Sequence, residues 1–347
     1  MFDYKHYVPV LKGKRAEFPA LGALRSKLGL SPMIEMVPGG AADFVPIQMN
    51  AVWPTDRVYF IDLLYLDDEA YGVADAATHP LTGCFADVAR LGHTAIPVTS
   101  LDRSEGYQAA LSAIVQEQRR GFGLRLSADD FEDDEELAAN IDALLSFISV
   151  SPQYVDIFVD SRAVIGASPA EVAQLHRARL SLLPHIADWR TLTVVAGAFP
   201  AGMAPLTSGQ WNRVPRSDWN GWIALQNRAR LIARRPSYGD YGIGNTELPY
   251  TGRATILAQL RYTIDEFFFV WKGGDVHRHP RGFDQFIDIC ADLVTRPEFH
   301  GAAFSWGDQE IANRAATPGP CGNAETWRKI GTNHHIEKVK VQIASLP

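Results

Sequence analysis

The chain has 347 residues, 46 % of them hydrophobic and 21 % charged, with a formal net charge of −7. That length supports one large α/β domain with an appendage, or two domains, and the acidic balance argues against whole-surface attraction to nucleic acid. No apolar segment approaches the roughly 20 residues of a membrane span, the first residues lack a signal-peptide pattern, and three scattered cysteines (Cys84, Cys290, Cys321) suit a reducing compartment. A cytoplasmic protein is therefore expected, with no membrane partner.

Eight strand-like runs succeed one another: Val8–Leu11, Met33–Val37, Val58–Leu64, Thr94–Ser100, Gly123–Ser127, Val155–Ser161, Leu192–Phe199 and a weaker Tyr238–Ile243. Each interval can hold one helix and two short loops, as a βαβ crossover requires. Helical periodicity fills the intervals. Ser104–Arg120, Glu135–Ile148 and Pro169–Ile186 repeat apolar residues at spacings of three and four. The acidic block Asp129–Glu136 suits a helix N-terminus, where the dipole favours negative charge. Beyond residue 250 the pattern changes. Ile256–Trp271 reads as one long apolar run, Gly282–Thr295 as a helix, and Ala302–Trp306 and Val339–Ile343 as strands.

Runs rich in Val, Ile and Phe without strict alternation are what parallel strands covered by helices look like. Eight units close a barrel, whereas six or seven leave an open sheet. No strand–helix turn carries the glycine fingerprint of a nucleotide-binding open sheet, since the pair Gly39–Gly40 is too short to cradle a pyrophosphate. The expectation is a (β/α)8 TIM-like barrel over residues 1–250, with a C-terminal extension over 251–347 that packs on the barrel and could supply late strands.

Several stretches together resemble the family called beta protein, found in bacteria and phages. They are YVPVLKGKRAEFPAL near the start, SPMIEMVP, the strand ending FVDS, RPSYGDYGI, and the closing WRKIGTNHHIEKV. The resemblance implies a phage or mobile-element setting and a role in phage–host conflict or antiviral defence. It brings no settled activity and no catalytic residues.

In a parallel barrel the functional groups sit at the carboxyl ends of the strands. Those ends offer Lys12, Glu35, Asp62, Arg125, Asp160 and Asp240, with Thr99, Ser100, Asp102 and Ser127 nearby. Buried charges need partners or a metal, so five of them inside strands should meet. In one reading Glu35, Asp62 and Asp160 act as acid and base or hold a Mg2+ ion, while Lys12, Arg125 and Asp240 bind an anionic ligand such as a phosphate. In the other, the charges form an ion-paired plug in a non-catalytic recognition or scaffold protein with a protein or nucleic-acid partner. Asp156, near the amino end of its strand, is expected to be structural. His277 and His279 belong to a loop, which favours no metal geometry. His334 and His335 should point apart, one capping a helix and the other exposed. The Arg- and Trp-rich segment Trp211–Arg235 could stack on nucleic acid, but Trp219, Trp222, Ile223, Leu231 and Ile232 read better as core.

Overall fold

The computed structural model describes residues 2–39, 44–67, 77, 79–248, 255–317 and 319–347; Gly40 lies outside them. In chain order the first elements are β1 (Tyr7–Lys12), α1 (Glu17–Gly22), β2 (Met33–Glu35), α2 (Phe44–Val52), β3 (Tyr59–Asp62), α3 (Pro80–Arg90), β4 (Ala95–Thr99) and α4 (Glu105–Gln118). Then follow β5 (Phe122–Leu126), α5 (Asp134–Ile148), β6 (Val155–Ala163), α6 (Pro169–Leu182), β7 (Thr191–Gly197), β8 (Gln210–Pro215), α7 (Ser217–Gln226) and β9 (Ser237–Asp240). Every strand of this group except β8 joins one closed barrel, in the order β1 to β7 and then β9, which pairs in parallel with both β7 and β1. The eight runs read from the sequence are the eight strands of a TIM-type (β/α)8 barrel.

Local sequence explains why the helices start where they do. Ser104 caps α4 by accepting the Tyr107 N–H, and Ser168 with Glu171 forms a reciprocal capping box on α6. The acidic block supplies Asp133, whose carboxylate accepts the N–H groups of Glu135 and Glu136 at the start of α5. Alternation along the strands then sorts the core into two layers. Val8, Val10, Met33, Phe60, Val98, Phe158 and Val195 fill the barrel interior. Tyr7, Ile34, Ile61, Leu124, Ile157 and Val194 face the helices.

The last third is built differently from the expectation. The apolar run at 256–271 is an antiparallel hairpin of β10 (Leu257–Thr263) and β11 (Phe267–Asp275), and β11 pairs in turn with β8 to make a separate three-stranded sheet. Among the described residues, nothing after residue 250 enters the barrel sheet. Neither proposed late strand exists: Ala302–Trp306 leads into helix α9 (Trp306–Ala316), and Val339–Ile343 lies within the 21-residue helix α10 (Ala324–Ala344). The helix expected at Gly282–Thr295 is α8 (Gln285–Leu293), preceded by a 3-10 turn.

Helices α8 and α9 cover one face of the small sheet, whereas α10 is wedged between that sheet and the barrel, against α1 and β1. Its Ile336, Val339 and Ile343 belong to the same buried cluster as Tyr7, Phe18 and Leu21. Helix α10 thus occupies the place of the eighth barrel helix. The chain's two ends meet there, with the Tyr4 hydroxyl on the Pro347 carbonyl and the Lys5 ammonium on that of Leu346.

The wedge position corrects the reading of the histidine pair. His334 and His335 are both wholly buried on α10. His334 bonds Asp308 and the Thr263 carbonyl, and His335 bonds Asp240 and the Thr263 hydroxyl. The Arg- and Trp-rich segment is largely internal: Trp219 and Trp222 are buried, while Ile223 and Ile232 pack against the core at its edge. Leu231 is the exception, left 61 % exposed. His277 and His279 sit in an exposed turn.

Candidate functional site

The parallel register sets the ends of neighbouring strands flush. Lys12 pairs with Glu35, and Glu35 with Asp62. Each of these three lies two residues beyond an inward apolar side chain (Val10, Met33, Phe60), so alternation turns all three toward the barrel axis. The same parity turns Arg125 inward beyond Gly123, and Asp160 inward beyond Phe158. One polar layer therefore sits directly above the apolar filling, at the carboxyl end of the barrel.

Arg125 is its centre. Its Nη1 donates to Glu35 Oε1 at 2.8 Å and Asp62 Oδ2 at 2.6 Å, and its Nε and Nη2 donate to Asp160 Oδ2 at 2.9 and 2.7 Å. Nη2 also reaches the Tyr241 hydroxyl, which donates in turn to Asp160 at 2.5 Å. Arg103 donates to the other oxygen of Asp62 at 2.8 Å. Lys12 donates to Glu35, to the Tyr65 hydroxyl (2.6 Å) and to the Thr246 carbonyl (2.8 Å). Arg162 gives its backbone N–H to Asp160 Oδ1 at 2.8 Å, and its guanidinium reaches the Tyr241 hydroxyl and Glu247. That residue adopts a left-handed backbone (φ 52°), which costs about 1 kcal/mol for a non-glycine residue and recurs at functional sites.

Glu35 and Asp62 are fully buried and Asp160 is 1 % exposed. Burial alone would raise the Asp160 carboxyl, but Arg125, the Tyr241 hydroxyl and Arg162 together hold it below the ordinary carboxylate range. Burial lowers the Lys12 ammonium despite the Glu35 charge beside it. The Tyr241 phenol is pushed well up, chiefly by burial. As they stand, the carboxylates serve as acceptors for cations. Among the described residues no group of three or more His, Cys, Asp or Glu converges as metal ligands, because Arg125 lies between the three acids.

Of the sequence-derived residues, Lys12, Glu35, Asp62, Arg125 and Asp160 come together, and Asp240 does not. Asp240 follows the inward Gly239 and points out of the barrel, where it accepts from Tyr7 at 2.6 Å and from His335 at 2.9 Å. Close by, burial and the Asp240 charge raise the carboxyl of Asp218, while His335, Tyr7 and a backbone N–H keep Asp240 low against its own burial. Ser100 and Ser127 bond Asp102 and Asp130, fastening their own loops, and Thr99 bonds Gln108. Asp156 is clamped by Arg190 and Thr191 at the opposite end. Sequence reasoning missed Tyr65, Arg103, Arg162 and Tyr241. Tyr241 carried a signal, since parity from the outward Tyr238 turns it inward, and so did Arg162, two residues beyond the inward Asp160 on β6.

The polar layer opens onto a groove of about 720 Å3 between the barrel mouth and the small sheet. Lys12, Glu17, Tyr241 and Glu247 line the barrel side, and Arg261 and Arg328 the far side.

No curated protein matches the sequence. Among solved structures, the chain is similar to a mutant tryptophan synthase alpha-subunit from the hyperthermophile Pyrococcus furiosus, at 12 % identity and a TM-score of 0.42, over 70 % of this chain and 89 % of that one. The family model for Beta protein matches residues 7–340, and with nearly its whole length matched the chain belongs to that family.

Proposed function

We propose that the barrel mouth binds a small phosphate-bearing or otherwise anionic molecule. The observation that carries this is a charge imbalance. Four cations (Lys12, Arg103, Arg125, Arg162) face three buried carboxylates (Glu35, Asp62, Asp160), and the surplus lies at the rim. Arg162 is the most exposed of the four, at 29 %, and its outer partner Glu247 is 65 % exposed, so water weakens that pair. A guanidinium with spare donors at the edge of a polar cavity suits a phosphate or carboxylate geometrically. A groove of this size falls in the range of small-molecule sites, about 300–1,000 Å3.

In this reading the carboxylates position the cations rather than attack a substrate. Its hydrolytic, Mg2+-assisted form requires Arg125 to withdraw from all three acids. On the family resemblance alone, we place the ligand in a phage- or mobile-element setting. The second reading, an ion-paired plug in a scaffold protein, is favoured by the near-zero exposure of the acids. Calorimetric titration with inorganic phosphate and pyrophosphate at low ionic strength separates the two. We expect binding that Arg162→Ala weakens about tenfold, the size of one charge-assisted hydrogen bond. No heat of binding at millimolar anion would leave the plug.

A further inference from the structure

The far wall of the groove holds charges that the anion-binding reading does not use. Arg261 on β10 donates to the Ile243 carbonyl at 2.5 Å and to the Gln259 side chain at 2.9 and 3.1 Å. Arg328 on α10 donates to the same carbonyl at 3.2 Å. Lys14 and Arg15 line the groove beside them. Among the described residues none of these four cations has a carboxylate within ion-pairing distance. Two guanidinium groups converging on one neutral carbonyl leave donors with no charged acceptor.

Facing them is Glu17, 7 % exposed, which lines the groove and whose Oε2 is buried with no hydrogen-bond partner. Burial pushes its carboxyl up to about 6, against the pull of Arg328 and Lys14. A buried acceptor left unpaired is costly, and it is relieved by a donor that arrives with a ligand. The cations and the acid sit close enough to feel each other's charge, so their two complements should lie close together on one molecule.

This inference goes beyond the anion-binding reading above: it takes the same groove but seats a phosphate on other cations. We propose that the groove takes an amine-bearing phosphate ester, with the phosphate held by Lys14, Arg261 and Arg328 and the amine N–H donated to Glu17. Ile243, Ile256 and Leu257 provide an apolar wall for the rest of the molecule. A single acceptor among cations discriminates strongly, because a ligand without the amine leaves Glu17 buried and unpaired.

The test compares 2-aminoethyl phosphate with propyl phosphate, which has the same length and no nitrogen, by calorimetry on the full chain. The parent should prefer the amine by about tenfold to a hundredfold, as one hydrogen bond to a charged group gives. Glu17→Leu, which removes the acceptor, should abolish that preference without weakening propyl phosphate, and Arg328→Ala should weaken both compounds together. Equal affinities in the parent, or a preference that survives Glu17→Leu, overturn the assignment of Glu17 while the phosphate-holding cations stand. If neither ester binds the parent, this inference falls, while the titration with inorganic phosphate and its Arg162→Ala variant decide the rim site separately.

Discussion

Asp160 and Glu17 are two buried carboxylates with opposite environments, and their removal should have opposite effects. Asp160 accepts from Nε and Nη2 of Arg125, from the Tyr241 hydroxyl and from the Arg162 backbone. Asp160→Asn keeps its shape but leaves a buried guanidinium with less charge to face, which costs about 3–5 kcal/mol. A denaturant melt should show the loss directly. Glu17→Gln should do the reverse. The folded carboxyl titrates at about 6 against an ordinary 4.5, so folding favours its protonated form. The stability this contributes is complete below pH 4.5 and lost as pH rises through 6. The variant should therefore be more stable than the parent by about 2 kcal/mol at pH 8, and equal to it at pH 4. Parallel melts at the two pH values check the sign. At this scale the sequence was readable where strand parity applied. Lys12, Glu35, Asp62, Arg125 and Asp160 share the inward face with Val10, Met33, Phe60, Gly123 and Phe158. Asp240 stands at a strand end but follows the inward Gly239, so the same parity turns it outward. Arg103 and Tyr65 come from loops, which have no period to read, and Arg162 sits in β6 one residue past the run that composition marks out.

Strands and helix starts were legible because their causes are local. Ser104, Asp133 and Ser168 cap within three residues, and parallel strands buried on both sides advertise themselves by composition. The failures came where tertiary packing decides. Val339, Val341 and Ile343 alternate like a strand, yet they belong to a helix that starts at a capping box of Asn323 and Thr326. The β10–β11 hairpin turns within Ile264–Glu266, too short a polar break to interrupt an apolar run. A sharper constraint sits between α4 and β5. Gly121 has φ +71°, and a Cβ there would lie 1.8 Å from the Tyr154 carbonyl oxygen. Gly121→Ala should cost more than about 1 kcal/mol, because neither backbone nor neighbour can yield cheaply. Thermal unfolding of that variant beside an Ala substitution at the unobstructed Gly83 controls for propensity.

In the whole molecule, the barrel's first and last strands and its eighth helix come from opposite ends of the chain. A partition at residue 250 puts β8 with the barrel and α10 with the extension. In space β8 belongs to the small sheet, and α10 packs on α1 and β1. The two segments are better proposed as one interlocked unit. Through α10, its outer core joins Tyr7 to Ile343 in one cluster, beside a separate core under the small sheet.

That wedge has a kinetic meaning. The contacts that seal β9 to β1 and seat α10 join residues more than 200 positions apart, such as Tyr7 with Asp240 and Arg25 with Glu337. Loop closure of that length is slow to arrive, so during synthesis the earlier strands must wait as an open sheet with two bare edges. Sealing is then the last event of folding, and interactions made there should be absent from the rate-limiting barrier. Val339→Ala should accordingly speed unfolding in stopped-flow experiments while leaving the refolding rate near the parent's. A variant that slowed refolding instead would place α10 among the first elements to form.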